Sequence, residues 1–248
     1  MGKIETNKHL FSDPAGYSTL DAISSADQFN RWMYQTIAPF CNGHILEIGG
    51  GIGNISKQVL ADGKTLTITE LREEYCQLLR KEVGPDQNLR DIVCLDIIDP
   101  QFENKYMNML GTFDTVFALN VIEHIEDDTL AIANCKKLLK PGGQLIILVP
   151  AFSFLFNSFD HSLGHFRRYT KKSIIRLFEK NNLQPVHQQY FNFVGTLGWW
   201  GSGNLLRKKT VPEGQMKLYN FFVPLIRIID YFTRRFVGLS VIVVGRKI

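Results

Sequence analysis

The stretch His44-Ile45-Leu46-Glu47-Ile48-Gly49-Gly50-Gly51-Ile52-Gly53 decides the fold. A short apolar run enters a glycine cluster, and Ile52 to Leu60 follows with helical spacing. A strand that ends in a glycine turn and opens a helix lets backbone approach a ligand closely. In an open α/β sheet that ligand lies at the carboxyl ends of the strands. The dinucleotide fingerprint GxGxxG fits Gly49 and Gly51, but its third position is Asn54. The spacing present is GxGxG, preceded by an acid at Glu47. That difference counts against a pyrophosphate. It favours a small cofactor carrying an amino-acid group beside a nucleoside.

Outward from this loop, strand and helix signals alternate. Thr65 to Thr69 alternates and is β-branched, as strands do. Leu71 to Val83 has helical spacing, with Leu71, Tyr75, Leu78 and Leu79 expected inward, and Gly84-Pro85 stops it. Ile92 to Leu95 and Phe113 to Leu119 read as strands. Leu130, Ala133, Leu138 and Leu139 mark a helix that ends before Pro141-Gly142-Gly143, and Gln144 to Val149 is a strand of the fully buried kind. Residues 44–150 therefore predict a doubly wound, mostly parallel α/β sheet. Before them, residues 1–23 read as irregular, and Ser24 or Ser25 caps a helix to about Phe40. After Pro150, residues 151–170 are aromatic and irregular, and Thr170 caps a helix from Lys171 to about Lys180. Pro185 to Phe193 and Leu239 to Val244 are closing strands, separated by an apolar, glycine-interrupted, basic insertion at roughly 195–236. We expect one domain: an N-terminal helical segment over 1–43, a cofactor-binding core over 44–150, and a lid, insertion and closing strands over 151–248.

Composition narrows the class. The 248 residues are 45% hydrophobic and 21% charged, which excludes a disordered tail, a collagen-like fibre and a coiled-coil rod. The four cysteines form no CxxC pair, so a disulfide or zinc framework is not expected and a reducing compartment is favoured. The net charge of +4 hides an asymmetry: residues 1–160 balance at −8 and residues 161–248 at +12. The basic stretch also holds 14 of the 29 aromatics, which suggests a second task at an anionic partner. Met1-Gly2 with Thr6 fits the loose myristoylation pattern by chance, and Met1 to Leu10 has no apolar core of a secretory signal. The uncharged stretch His187 to Leu206 is too rich in glycine and amide to span a bilayer. A cytoplasmic protein, peripheral at the inner membrane face, is the expectation.

Taken together, Glu47-x-Gly49-x-Gly51-x-Gly53, Glu70, Asp96, Phe113-Asp114-Thr115-Val116, Asn120-Val-Ile-Glu123-His124 and Leu138-Leu-Lys-Pro141-Gly-Gly143 resemble the class I S-adenosylmethionine-dependent methyltransferases over about residues 40–150. The resemblance implies a Rossmann-like, seven-stranded sheet with a reversed last hairpin, and S-adenosyl-L-methionine as cofactor. It implies that Glu47 and Gly49 face the methionine part, and that Gly51 and Gly53 shape the turn. Glu70 would hold the ribose, Leu71 would pack on adenine, Asp96 would meet the adenine amine, and Asn120 would lie beside the sulfonium. Asp160-His161-Ser-Leu-Gly164-His165-Phe-Arg167-Arg168-Tyr169-Thr170 resembles a stretch found after strand five in a bacterial subgroup that often accompanies glycosyltransferase or cell-envelope genes.

On the acceptor side, Arg167 and Arg168, with Tyr169, could grip a phosphate or carboxylate, or pair with the acidic front half. His165 and His161 are the candidate bases for a hydroxyl. Asn120 stands where a metal-binding quinone-type pattern carries an acid, so no metal is expected, and Glu123 and His124 read as supporting residues. Trp199-Trp200, Arg207-Lys208-Lys209, Phe221-Phe222 and Arg234-Arg235 suit either a membrane interface or a folded cap over the site. The expected acceptor is small or lipid-linked and anionic, methylated on oxygen. No Asn/Asp-Pro-Pro-Tyr/Phe motif points to nucleic acid. The competing readings are an NAD-dependent oxidoreductase, which the failed GxGxxG spacing opposes, and a non-catalytic cofactor-binding module.

Overall fold

The computed structural model describes residues 13–205 and 213–248, so Met1, Gly2, Thr6 and Arg207-Lys208-Lys209 lie outside the described residues. The strands are β1 (Ile45–Ile48), β2 (Leu66–Glu70), β3 (Leu89–Cys94), β4 (Phe113–Leu119), β5 (Leu139–Pro150), β6 (Leu183–Phe191) and β7 (Ser240–Lys247). They form one sheet in the order β3-β2-β1-β4-β5-β7-β6. The first five pair in parallel, and β7 runs antiparallel to both β5 and β6. This is the expected sheet, reversed hairpin included.

All four residues of β1 are buried, which is why it reads as a continuous apolar run rather than an alternating one. Helices α2 (Asp27–Ile37), α3 (Ser56–Ala61) and α4 (Glu73–Val83) belong to one face, with Ile37, Val59 and Leu79 buried against Ile45, Leu66 and Ile68. Helices α5 (Phe102–Lys105), α6 (Asp128–Leu138) and α8 (Lys171–Lys180) belong to the other, where Ile132, Leu138 and Phe178 pack with Val116, Ile147 and Val243.

Several expectations are corrected. Residues 14–24 are not irregular: α1 (Pro14–Ser24) is a helix whose first turn is fixed by Asp13. The Asp13 carboxylate accepts from the Gly16 N–H at 2.9 Å, and Pro14 supplies a preset φ at the first helical position. Neither Ser24 nor Ser25 caps α2; Ala26 occupies that position. Helix α3 starts at Ser56 rather than Ile52, because Gly51 and Gly53 hold positive φ values that no helix admits. Leu71 is 54% exposed rather than inward. By contrast α8 begins where Thr170 predicts, in a reciprocal cap with Ser173.

After β5 come the short helix α7 (Ser158–Leu163), then α8 and β6; the insertion is α9 (Phe193–Trp200), a π-helical turn over 201–205, and α10 (Glu213–Thr233). Helix α10 packs on α2 through buried Met216, Val223 and Ile226. Its opposite face is apolar yet exposed, including Leu218, Phe221, Leu225, Ile228 and Phe232. No helix among the described residues is long and apolar enough to cross a membrane.

Candidate functional site

The strand order reverses between β1 and β4, so a crevice opens at the carboxyl edge where the two halves of the sheet diverge. Parallel pairing brings the ends of β1, β2, β3 and β4 to this one edge, and with them the glycine loop, Glu70, Asp96 and Asn120. Register explains the fit: Glu47 pairs with Ile68 and Phe117, so the acids of β1 and β2 lie a residue or two from the same rim.

The loop is held by main-chain bonds. Gly49 and Gly50 N–H groups both donate to the Thr69 carbonyl, at 2.9 Å each. Gly49 has φ +74, and a Cβ there would sit 2.5 Å from Val121 Cγ2, the residue after Asn120. Glycine is therefore required by both conformation and space. The Glu70 carboxylate orients the turn, accepting from Gly51 N–H at 2.9 Å and from Leu71 N–H at 2.8 Å. A carboxylate has about four lone-pair positions, so two remain for a ribose diol. The Leu71 side chain stands exposed beside it, as a wall for a flat ring would.

Glu47 is the third residue of β1. It is buried, and its carboxylate accepts from the Ser56 hydroxyl at the start of α3. Burial pushes its pKa up to about 7, against the pull of Ser56 and with a further push from Glu70. It braces the loop from beneath. Asp96 is half-buried, and one of its carboxylate oxygens accepts from Ile98 N–H at 3.0 Å. Asn120 holds the left-handed conformation, φ +55, at the exposed end of β4. The glycine loop thus has the cradle a nucleoside with an amino-acid arm requires: small residues, positive φ and two acids on successive strands.

Sequence reasoning missed the roof. In α1, Leu20 lies 3.1 Å from where a Gly51 Cβ would be, and its carbonyl accepts from Asn54 Nδ2 at 3.1 Å. Tyr17 packs with Ile52 and Tyr75, and Asp13 pairs with Arg72 at 3.6 Å. The signal was available in Asp13-Pro14, a cap followed by a helix-starting proline.

The second group of candidates is reorganised. Arg168 is buried and grips Asp160 with two bonds, Nε to Oδ1 at 2.8 Å and Nη2 to Oδ2 at 3.0 Å. Its Nη1 donates to the Ala151 carbonyl at 3.1 Å, and its guanidinium lies 4.9 Å from the Trp199 ring centre. Arg167 donates to Asp128 at 2.9 Å and to the Glu126 carbonyl at 2.8 Å, and the Tyr169 hydroxyl donates to the same Asp128 oxygen. All three substrate-gripping candidates therefore have partners within the chain. The physical reason is the acidic front half: its carboxylates and carbonyls reach the segment first.

The two histidines separate. His161 is exposed, its ring edge-on to Phe156 at 4.9 Å. His165 turns inward, its Nδ1 2.7 Å from Asp160 Oδ1. Burial pushes the Asp160 carboxyl up, but hydrogen bonds from His165 and Arg168 outweigh it and hold the pKa below the usual range. The His165 ring meets His124 edge-on at 4.6 Å, and Glu123 joins them from the turn after Asn120. So Glu123 and His124, expected only to support, share a centre with His165, while His161 does not.

Residues 46–145 match the profile of a family described as a methyltransferase domain. The ubiquinone biosynthesis O-methyltransferase of Xanthomonas oryzae pv. oryzae (strain PXO99A) is 30% identical over 103 residues, spanning 42% of this chain and 41% of that relative. The match thus spans about two fifths of that curated relative's length. Among solved structures, phosphoethanolamine N-methyltransferase 2 of Haemonchus contortus, in complex with S-adenosyl-L-methionine, superposes with a TM-score of 0.61 at 17% identity, over 99% of this chain and 60% of that one. Geranyl diphosphate C-methyltransferase of Streptomyces coelicolor A3(2) superposes with a TM-score of 0.59 at 12% identity, over 88% of this chain and 77% of that one. These two likenesses establish the fold.

Proposed function

We propose that the chain is a class I S-adenosylmethionine-dependent methyltransferase that methylates an oxygen of an anionic, partly apolar acceptor presented at a membrane surface. The observation that carries the methyl transfer is the glycine cradle with Glu70 bound to its Gly51 N–H, on the same rim as Asp96 and Asn120. The relatives' names span O-, N- and C-methylation on a shared fold, so the fold alone does not select the acceptor.

S-adenosylmethionine supplies an activated methyl group on a sulfonium. The protein's part is to hold the nucleophile in line, exclude water and let the hydroxyl proton leave. The loop N–H groups and Glu70 orient the donor side, and α1 covers it. The Glu123–His124–His165 centre, whose first two residues directly follow the turn after Asn120, is the acceptor side in this reading. Its closeness to the donor side is supported by Val121, two residues before Glu123, whose Cγ2 lies 2.5 Å from where a Gly49 Cβ would be.

The membrane part rests on α10. Phe221, Leu225, Ile228 and Phe232 form an exposed stripe at helical spacing, bordered by exposed Arg227, Arg234 and Arg235. An apolar face rimmed by cations suits an anionic lipid surface. Calorimetry tests the donor: the demethylated cofactor should bind and NAD should not. Sedimentation with anionic and neutral vesicles tests the surface. Recovery should favour anionic vesicles, fall as salt rises, and fall further in Phe221→Ser/Phe232→Ser. Equal, salt-independent recovery from both vesicle types would remove the membrane half alone.

A further inference from the structure

We propose that Glu123, His124 and His165 form a binding site for one divalent transition-metal cation at the acceptor side of the crevice. The inference rests on the methyl-transfer reading only for the cation's use, and not for its binding. Two histidines and one carboxylate, with open positions left over, form a ligand set suited to Zn²⁺, Fe²⁺ or Mn²⁺. One ligand atom from each residue lies within 4.8 Å of the other two. A cation with bonds of about 2.0–2.2 Å needs its ligand atoms about 3–3.6 Å apart, so small side-chain rotations close the site.

Three independent features point the same way. The first is Glu123. It is fully buried, and neither carboxylate oxygen has a hydrogen-bond partner on another residue. A buried carboxyl without a donor is costly and needs an explanation. A proton is one explanation, since burial pushes the pKa up to about 8; a cation is the other. The second is how the imidazoles are held. His165 Nδ1 faces the Asp160 carboxylate, which Arg168 clamps from its other side. A carboxylate acceptor makes Nδ1 the donor and leaves Nε2 with its lone pair free. His165 is thus anchored through one nitrogen and offers the other, the arrangement that orients metal-ligating histidines, and the His124 ring meets it edge-on at 4.6 Å. The third is access. His124 is exposed, while Glu123 and Asp160 are buried, so a cation can enter over His124 and meet charge below it.

Asn120 is not part of this set. The third ligand comes from beyond β5, carried in by α7 and fixed by the Asp160–Arg168 pair. That is why a pattern confined to residues 120–124 does not show it. The two nitrogen ligands disfavour Mg²⁺ and Ca²⁺, which prefer oxygen. An acceptor hydroxyl bound to such a cation loses its proton to water more readily, the O–H bond breaking as the metal–oxygen bond strengthens.

The test uses untagged full-length protein freed of metal by chelating resin. Zn²⁺ is titrated by calorimetry and Co²⁺ by visible absorption, with Mg²⁺ as control; binding of the demethylated cofactor is measured on the same samples. One equivalent of Zn²⁺ or Co²⁺ should bind, with Co²⁺ ligand-field bands and no response to Mg²⁺. Glu123→Gln, a neutral match for the protonated acid, should fold as the parent by circular dichroism. It and His165→Gln should each weaken the cation more than the roughly 10–100-fold typical of an outer-shell partner. No saturable uptake by the folded parent, or equal uptake by both variants, overturns the site. Cofactor binding without cation uptake overturns the site and leaves methyl transfer standing. Cation uptake without cofactor binding supports the site and overturns the methyl-transfer reading.

Discussion

The glycine-loop rim and the Asp160–Tyr169 segment both carry charged side chains at the carboxyl edge, and they use them in opposite ways. At the rim, acids face main-chain N–H groups: Glu70 takes Gly51 and Leu71. In the segment, charged side chains face each other: Asp160 meets both Arg168 and His165. A carboxylate held by N–H groups keeps spare lone pairs and can serve a ligand. A carboxylate buried against a guanidinium is committed to the fold. The difference separates binding residues from positioning residues within one edge of one sheet, and it can be broken by experiment.

The largest effect is expected at Arg168. Its side chain and that of Asp160 are 1% and 0% exposed. Removing one partner leaves a buried charge uncompensated, so Arg168→Ala should cost about 3–5 kcal/mol of stability. Urea denaturation measures it. Asp160→Leu combined with Arg168→Leu should cost less than the sum of the two single changes, because the partners interact. Affinity for the demethylated cofactor should hold in whatever fraction stays folded. A stable Arg168→Ala variant with only a raised acceptor KM would make Arg168 a binding residue and erase the contrast.

The next effect belongs to Glu47, which sits on the rim but is buried like the segment's acids. Its pKa is raised from an ordinary 4.5 to about 7 by burial. The folded state therefore holds its proton to higher pH than the unfolded state. Stability from this group is greatest below pH about 4.5, is lost as pH rises to about 7, and is level above that. The full loss corresponds to about 3 kcal/mol. Glu47→Gln should remove this slope, so the variant gains on the parent between those limits in paired urea melts of the cofactor-free protein. Parallel pH curves for the two proteins would mean that Glu47 is ionised throughout.

Glu70 should show the reverse split. Glu70→Ala frees Gly51 and Leu71 N–H groups and removes the acid offered to the ribose. Cofactor affinity should fall by about 1–3 kcal/mol, the size of hydrogen bonds to a charged group. Calorimetry with the demethylated cofactor reads it, and the urea midpoint should move less than for Arg168→Ala.

What was legible follows the same division. The parallel sheet and the glycine turn could be read because they are encoded within single strand–turn–helix units. The glycines and Glu47 belong to one such unit and Glu70 ends the next strand, so spacing alone carries them. The segment could not be read that way. Arg167 finds its partner 39 residues back at Asp128, and His165 meets Glu123 where the Phe166 N–H donates to the Glu123 carbonyl. Side-chain pairings over such distances leave no periodic trace. Helix α1 was missed for another reason: Asp13-Pro14 is a start signal, but the helix buries only Tyr17 and Ala22, too little to show a stripe.

The smallest effect sharpens the comparison most, because Arg167 adjoins Arg168 in the chain. Its ion pair with Asp128 has the same chemistry and a similar distance, 2.9 Å against 2.8 Å. Burial differs, and Arg167 makes one bond to its carboxylate where Arg168 makes two: the Arg167 side chain is 36% exposed, and water competes for it. An exposed pair contributes at most about 1 kcal/mol. Asp128 also keeps the Tyr169 hydroxyl when Arg167 is gone, so no acceptor is stranded. Arg167→Ala should therefore shift the urea midpoint by a small fraction of the Arg168→Ala shift and leave cofactor affinity unchanged. Raised salt should reduce even that shift, since exposed pairs are screened. If Arg167→Ala instead proves as destabilising as Arg168→Ala, burial is not what commits a charge to this fold. If it leaves stability alone but raises the acceptor KM, the exposed arginine, and not its buried neighbour, is the one that meets the anionic acceptor.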